Sequence, residues 1–289
     1  MSGKAEAIAH GAATIVNAIA LGQGAAFGVD LWTKAEVRLT DEAGIITGEI
    51  TSDADESTLL IEKTVARVLQ HFGVENQFGA KVKTSSNIPI ARGLKSSSAA
   101  ANAVALATVW ALGKELDDLA VVNLGVDAAF DSKVTVTGAF DDACASYFGG
   151  VVVTDNVNRK LLQRFPLPEG LTVLFYVPAK KVYTGNTDVN RLVMIKHMVK
   201  IAFEEAKKEN FWMALTLNGT VYSSALGYDN SVATDALSAG ALAAGLCGKG
   251  PAVTAVVPDD KIDLVKAALQ RHDGEILQAR FNQEKARVI

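Results

Sequence analysis

Cysteine is nearly absent from this 289-residue chain. The only two, Cys144 and Cys247, lie far apart and fit no CxxC or metal-finger spacing. That excludes a disulfide scaffold and leads to the expectation of reduced thiols in a cytoplasmic protein. Histidine is equally sparse: His10, His71, His197 and His272 are scattered, with no HExxH pair, so a protein-built zinc site is not expected. A basic excess is also missing. Lys and Arg number 28 against 32 Asp and Glu, a net charge of −4, which discounts a nucleic acid partner. No stretch reads as a membrane span. The one long charge-free run, residues 8–29, follows Lys4 as a leader would. However, it contains Gly11, Asn17, Gly22, Gln23, Gly24 and Gly28 behind Glu6, which suits neither a signal-peptide core nor a spanning helix.

What is present is a globular composition, 49% hydrophobic and 21% charged, long enough for one large domain or two ordinary ones. Strict alternation in "KAEVRLT" (34–40), followed by "GIITGEIT", predicts a hairpin around residues 41–44. Helical periodicity marks 57–73, 96–112 and 117–130, and strands are expected at 79–86 and 149–155. The polar interval 156–170 reads as a boundary. It gives an N-terminal domain, 1–160, and a C-terminal one, 161–289. Beyond it follow a strand at 171–177, helices near 188–208, 211–226 and 231–246, a strand at 252–257, a helix at 260–269 and a strand at 274–280. Strands and helices are segregated, so the class is α+β.

Four segments read as sites. In "PIARGLKSSSAAANAVALATVWALG" (89–113) turn residues and three serines precede a strong helix former. Serine is a preferred N-cap, and Gly113 sits where a C′ glycine would end the helix. The exposed N–H groups and the positive dipole end favour an anion there. Gly93 permits close backbone approach, Lys95 adds charge, and Ser96, Ser97 and Ser98 offer hydroxyls. The segment therefore reads either as a phosphate cradle or as an ordinary serine-capped helix. "NAIALGQGAAFGVD" (17–30) is glycine-rich but is not GxGxxG, so it is a weak dinucleotide motif or a turn. "TGAFDDACASYFGG" (137–150) offers Asp141 and Asp142 for proton abstraction or for a cation, or else as caps of a helix over 141–148. "AGLCGKGPAVTAV" (244–256) is a glycine turn between a helix and a strand, and not a Walker A loop.

Taken in order, these segments resemble the GHMP kinase superfamily over nearly the whole chain. Its PxxxGLxSS loop is matched by Pro89, Gly93, Leu94, Ser96 and Ser97. Its catalytic aspartate before a Gly-Gly pair is matched by Asp141 before Gly149 and Gly150, and its C-terminal glycine motif by Gly245, Gly248 and Gly250. Within the superfamily, "GLKSSSAAANA" with "TGAFDDACAS" is most similar to the archaeal shikimate kinases. The resemblance implies a two-domain GHMP kinase-like α+β fold and an ATP- and Mg²⁺-dependent kinase acting on a hydroxyl of shikimate. Pro89, Ile90, Ala91, Arg92, Gly93, Leu94, Lys95, Ser96, Ser97, Ser98 and Ala99 would hold the nucleotide, and Asp141 would take the acceptor proton. Ser97 and Asp131 are the metal-side candidates, with Asp127 as the alternative to Asp131. The substrate carboxylate asks for a cation among Arg92, Arg191 and Lys180, and Asp30 would accept from a ring hydroxyl. Many family members have glycine where this chain has Lys95, and an N-terminal lysine of some relatives has only Lys4 as counterpart. Homoserine, mevalonate or pantoate as acceptor, a non-catalytic nucleotide or metabolite binder, and an unrelated α+β binding protein are the alternatives.

Overall fold

The computed structural model describes residues 3–90, 93–135, 137–178 and 189–289. Its frame is a pair of long antiparallel strands, β1 (Lys4–Val16) and β2 (Gln23–Thr40). Successive side chains of a strand point to opposite faces, and here both faces are covered. Ala7, Ala9, Ala12 and Ala26 meet one helical layer, and Ala13, Ile15, Phe27 and Val29 meet the C-terminal half of the chain. Burial on both sides explains why residues 8–29 carry no charge.

The rest of this seven-stranded sheet comprises β3 (Ile46–Ile50), β4 (Gly79–Ser86), β5 (Val151–Asp155), β6 (Lys160–Phe165) and β11 (Arg287–Val288). The predicted 41–44 hairpin does not form. β4 takes the β2 edge from Thr33 to Thr40, and β3 pairs parallel with β4 instead. The interval 156–170, read as a boundary, contains β6 at its centre, hydrogen-bonded to β5.

The helical layer consists of α1 (Leu59–His71), α2 (Ser96–Ala111), α3 (Asp118–Asp131) and α4 (Phe140–Phe148). The alanines of α2 make it slim, and it packs directly against β1 and β2. Gly113 ends it at φ 65°, as expected of a C′ glycine.

The second sheet has the order β10 (Gly274–Ala279), β7 (Leu171–Pro178), β9 (Val253–Pro258), β8 (Ala243–Leu246), all antiparallel. Along β7, Val173, Phe175 and Val177 join the core shared with β1 and β2. Leu174 and Tyr176 face α8 (Ser231–Ser238) and α9 (Ile262–Leu269). The helix expected over 231–246 stops at Ser238, and its second half is β8, so the turn 244–256 joins two strands. Within 188–208 the described part holds two helices, α5 (Val189–Met194) and α6 (Lys196–Lys207), followed by α7 (Phe211–Leu226). No described helix is long and apolar enough to cross a membrane.

Candidate active site

The serine loop leaves β4 through half-buried Pro89 and Ile90 and is anchored by Leu94, which is 1% exposed. Ala91 and Arg92 lie outside the described residues. Contrary to the serine-cap expectation, the N-cap of α2 is Lys95 at φ 65°, with no side-chain cap hydrogen bond. Ser96, Ser97 and Ser98 are half-buried in the first turn and do not cap it, while Ala99 is core. An uncapped helix start retains free N–H donors and the positive dipole end, which suits an anion.

The C-terminal glycine turn closes on this loop. Cys247 Sγ donates to the Gly93 carbonyl at 3.2 Å. A Cβ on Gly93 would lie 3.1 Å from Cys247 O and 3.2 Å from Gly250 O, so glycine fits both the close approach and the positive φ of 84°. Lys249, between two glycines of that turn, is half-buried. Burial, and then the neighbouring Lys95 charge, push its pKa down to about 8.

Asp141 and Asp142 both sit in the first turn of α4, 4% and 7% exposed. Neither is the cap: the N-cap is Ala139, which makes no side-chain bond, so the capping alternative falls. The two carboxylates diverge. Asp141 Oδ1 accepts from Asn156 Nδ2 at 2.8 Å, and Asn156 is held in turn by Thr154 Oγ1 at 2.7 Å. A Cβ built on Gly24 of β2 would fall 2.4 Å from Asp141 Oδ2, so that glycine makes room for the carboxylate. Asp142 Oδ2 pairs with Lys95 Nζ at 3.0 Å, while its Oδ1 is buried with no partner among the described residues.

Burial and the Asp142 charge raise the Asp141 pKa well above the ordinary carboxylate range, against the opposing effects of Asn156 and Lys95. Burial alone would lower the Lys95 pKa, but Asp142, Cys247 and Asp141 outweigh it and raise it. A buried carboxylate able to hold a proton thus stands near the Lys95 ammonium and an open helix start, with Lys249 in the field of Lys95 and Asp142. Groups of this kind can deprotonate a hydroxyl next to a bound phosphate.

A polar network ties this centre to the C-terminal half. Tyr222 OH of α7 donates to Asn17 O and accepts from Ala20 N, both at 3.0 Å. Asn218 Oδ1 accepts from Asn17 N at 3.1 Å, and Gly22 O accepts from Asn156 N at 2.9 Å. Sequence reasoning missed Asn156, Asn218, Tyr222 and Lys249. Asn218 and Tyr222 did leave a signal, because they are polar, four residues apart and on one face of a helix with no charged residue.

Of the other expected residues, Asp131, Asp127, Asp30 and Lys4 are engaged elsewhere. Asp131 forms a two-pronged pair with Arg67 at 2.5 and 2.6 Å, and Asp127 pairs with Arg159 at 2.7 Å. Among the described residues no group of three or more His, Cys, Asp or Glu is placed to hold a metal ion. Asp30 lies six residues along β2 from Gly24, roughly 20 Å at the usual strand rise. Its Oδ1 accepts from the Arg280 N–H. Arg191 is exposed on α5, and Lys180 is outside the described residues. Lys4, the N-terminal counterpart, is tied to Glu6 and Glu36 at the far end of β1.

Residues 60–150 match the GHMP kinases N terminal domain. A shikimate kinase of Methanosarcina mazei is 43% identical over 288 residues, covering 99% of this chain and 97% of the relative. One of Methanothrix thermoacetophila is 45% identical, covering 98% and 95%. In fold the chain is similar to a galactokinase of Lactococcus lactis (TM-score 0.78, 15% identity, 98% of this chain and 95% of that one). It is also similar to the mevalonate kinase of Methanococcus jannaschii (TM-score 0.75, 18% identity, 96% and 98%). With its serine loop, its buried Asp141 and relatives this similar along almost the full length, the chain belongs to the GHMP kinase family.

Proposed function

We propose that the chain is a shikimate kinase, transferring the terminal phosphoryl group of ATP to a hydroxyl of shikimate to give shikimate 3-phosphate. The observation that carries this reading is the full-length likeness to shikimate kinases at 43 to 45% identity. The buried Asp141 beside the serine loop agrees with it. In the reaction the hydroxyl oxygen bonds to the γ-phosphorus as the bridging P–O bond breaks. The electron pair leaves with ADP, and the hydroxyl proton passes to Asp141 Oδ2. Residues 89–99 hold the nucleotide phosphates through backbone N–H groups and hydroxyls. The enzyme is read as cytoplasmic, with neither nucleic acid nor membrane as partner, and its N-terminal domain runs past residue 160 to take in β6, which pairs with β5.

Mg²⁺ arrives with ATP as part of that substrate. Of the metal-side candidates only the Ser97 hydroxyl sits at the helix start. Asp131 and Asp127 are each neutralised by an arginine, so the carboxylates present do not form a ready metal seat. Ser97→Ala should therefore raise the KM for Mg·ATP about tenfold, in line with loss of a charge-assisted hydrogen bond. Because Ser97 is not the cap of α2, the melting temperature should stay unchanged. Steady-state kinetics beside calorimetry check this, and a large fall in melting temperature with normal kinetics would reverse the assignment.

A coupled ADP-release assay across shikimate, homoserine, mevalonate and pantoate tests the substrate. Shikimate should give the highest kcat/KM by at least about 10²-fold, because a site built to pair polar groups rejects acceptors that lack them. A higher value for another acceptor would replace the substrate assignment while keeping the kinase.

A further inference from the structure

We propose that Lys95 is a catalytic residue whose ammonium contacts the transferring phosphoryl group, with Asp142 holding it in place. The proposal rests on the kinase reading above and adds to it the identity of the cation at the reacting centre. Lys95 occupies a backbone position at φ 65°, in the left-handed region where glycine is the low-cost occupant. Keeping a lysine there costs backbone energy that its side chain must offset. That side chain turns inward, and its Nζ lies 3.0 Å from Asp142 Oδ2 with 12% of the side chain exposed.

The surroundings are built around this nitrogen. A Cβ on Gly248 would fall 2.4 Å from Lys95 Nζ and 3.6 Å from Thr14 Oγ1, so the glycine turn leaves its space to the ammonium. An ammonium carries three donors, and among the described residues Asp142 supplies the one ion-pair partner. Thr14 Oγ1 and Asp142 Oδ1 nearby are buried with no partner among the described residues. The nitrogen therefore stands between the carboxylate next to Asp141 and the open start of α2. A phosphoryl group passing from nucleotide to acceptor must cross that gap.

Three other cations among the described residues are committed elsewhere. Lys4 is tied to Glu6 and Glu36, Arg67 to Asp131 and Arg159 to Asp127. Lys249 flanks the same space and adds to its positive field, but Lys95 is the cation joined directly to the aspartate pair.

The competing explanation is that Lys95 merely neutralises Asp142, and a double-mutant cycle separates the two. Lys95→Gly suits the backbone and deletes the ammonium. Asp142→Asn keeps the ammonium beside a neutral partner, and the double variant removes both charges, so it folds without a lone buried carboxylate. Under the proposal Lys95→Gly lowers kcat by about 10²- to 10³-fold, as for loss of one donor to the transition state. Lys95→Arg retains at least tenfold more activity than Lys95→Gly, Asp142→Asn stays within about tenfold of wild type, and the double variant is as slow as Lys95→Gly. Recovery of the double variant to near wild-type kcat, or an unimpaired Lys95→Gly, would overturn it. Should Lys95→Gly alone fail to fold, the double variant decides. All ratios are taken on whichever acceptor the wild type turns over, so a wrong substrate assignment does not count against Lys95.

Discussion

Replacing Asp141 with Asn is expected to lower kcat by about 10²- to 10⁴-fold, the range typical of general acid–base groups. Nucleotide and acceptor should still bind within a few-fold, because the interaction lost belongs to the chemical step. Asn is nearly isosteric and its Oδ1 can still accept from Asn156 Nδ2, so the pocket keeps its shape while losing the base. Asp142→Asn should act modestly, since that carboxylate is turned to Lys95 and not to the Gly24 side. Kinetics of both variants at saturating substrates decide between the neighbours. A dead Asp142→Asn beside a near-normal Asp141→Asn would reverse the roles.

The same variant carries a stability signature of opposite sign. The folded-state pKa of Asp141 is raised above that of an unfolded aspartate, first by burial and then by Asp142. Between those two values the folded chain holds a proton that the unfolded chain has released, so stability falls as pH rises through the raised pKa. Asp142, Lys95 and Asn156 face the group, with Cys144 and Tyr222 in its field. Removing a charge that is costly to bury should give Asp141→Asn a melting temperature at pH 8 equal to or above that of the wild type. The wild-type kcat/KM should fall on the acid side at a higher pH than an ordinary aspartate would give. A variant clearly less stable than wild type at pH 8 would mean that the carboxylate supports the fold instead of burdening it.

Much of this centre was legible because its signals are local. The serine loop ahead of an alanine-rich helix, Gly113 at its end and Asp141 ahead of Gly149 and Gly150 are all contiguous patterns, and they fall where expected. Alternation in 34–40 tells which side chains share a face but not which strand lies alongside, and β4 took the place assigned to β3. β6 went unread because an edge strand with half-exposed faces has a weak pattern, and the alanine-rich start of β8 looked like more helix. The ion pairs were invisible for a different reason. Arg67 with Asp131, Arg159 with Asp127 and Lys95 with Asp142 each join segments distant in sequence, and nothing in either partner's neighbourhood announces the other. The resemblance that offered Asp131 as a metal-side candidate therefore could not reveal that an arginine already holds it.

Gly24 is another residue whose role the structure reveals, and Gly24→Ala should nearly silence the enzyme while leaving it folded. The glycine lies in extended β2 and has no positive φ, so alanine is acceptable to the backbone. The added methyl, however, would sit 2.4 Å from Asp141 Oδ2, 2.8 Å from its Cγ and 3.0 Å from its Cβ. All three distances are below ordinary contact, so the aspartate has to move. The α4 backbone is buried from Phe140 to Phe148 and cannot retreat. The side chain must then rotate, giving up the 2.8 Å bond from Asn156 and the orientation of Oδ2. Displacement of a reacting group by about 1 Å is enough to cost roughly 10²-fold in rate. The overpacking itself should cost about 1 to 3 kcal/mol of stability. Poor folding and a displaced base can be told apart by adding Gly24→Ala to the Asp141→Asn background. If the methyl acts by moving the carboxylate, it should cost little further kcat once the carboxylate is gone, whereas independent effects would multiply. A Gly24→Ala enzyme with wild-type kcat would show that the Asp141 rotamer seen here is not the one that takes the proton.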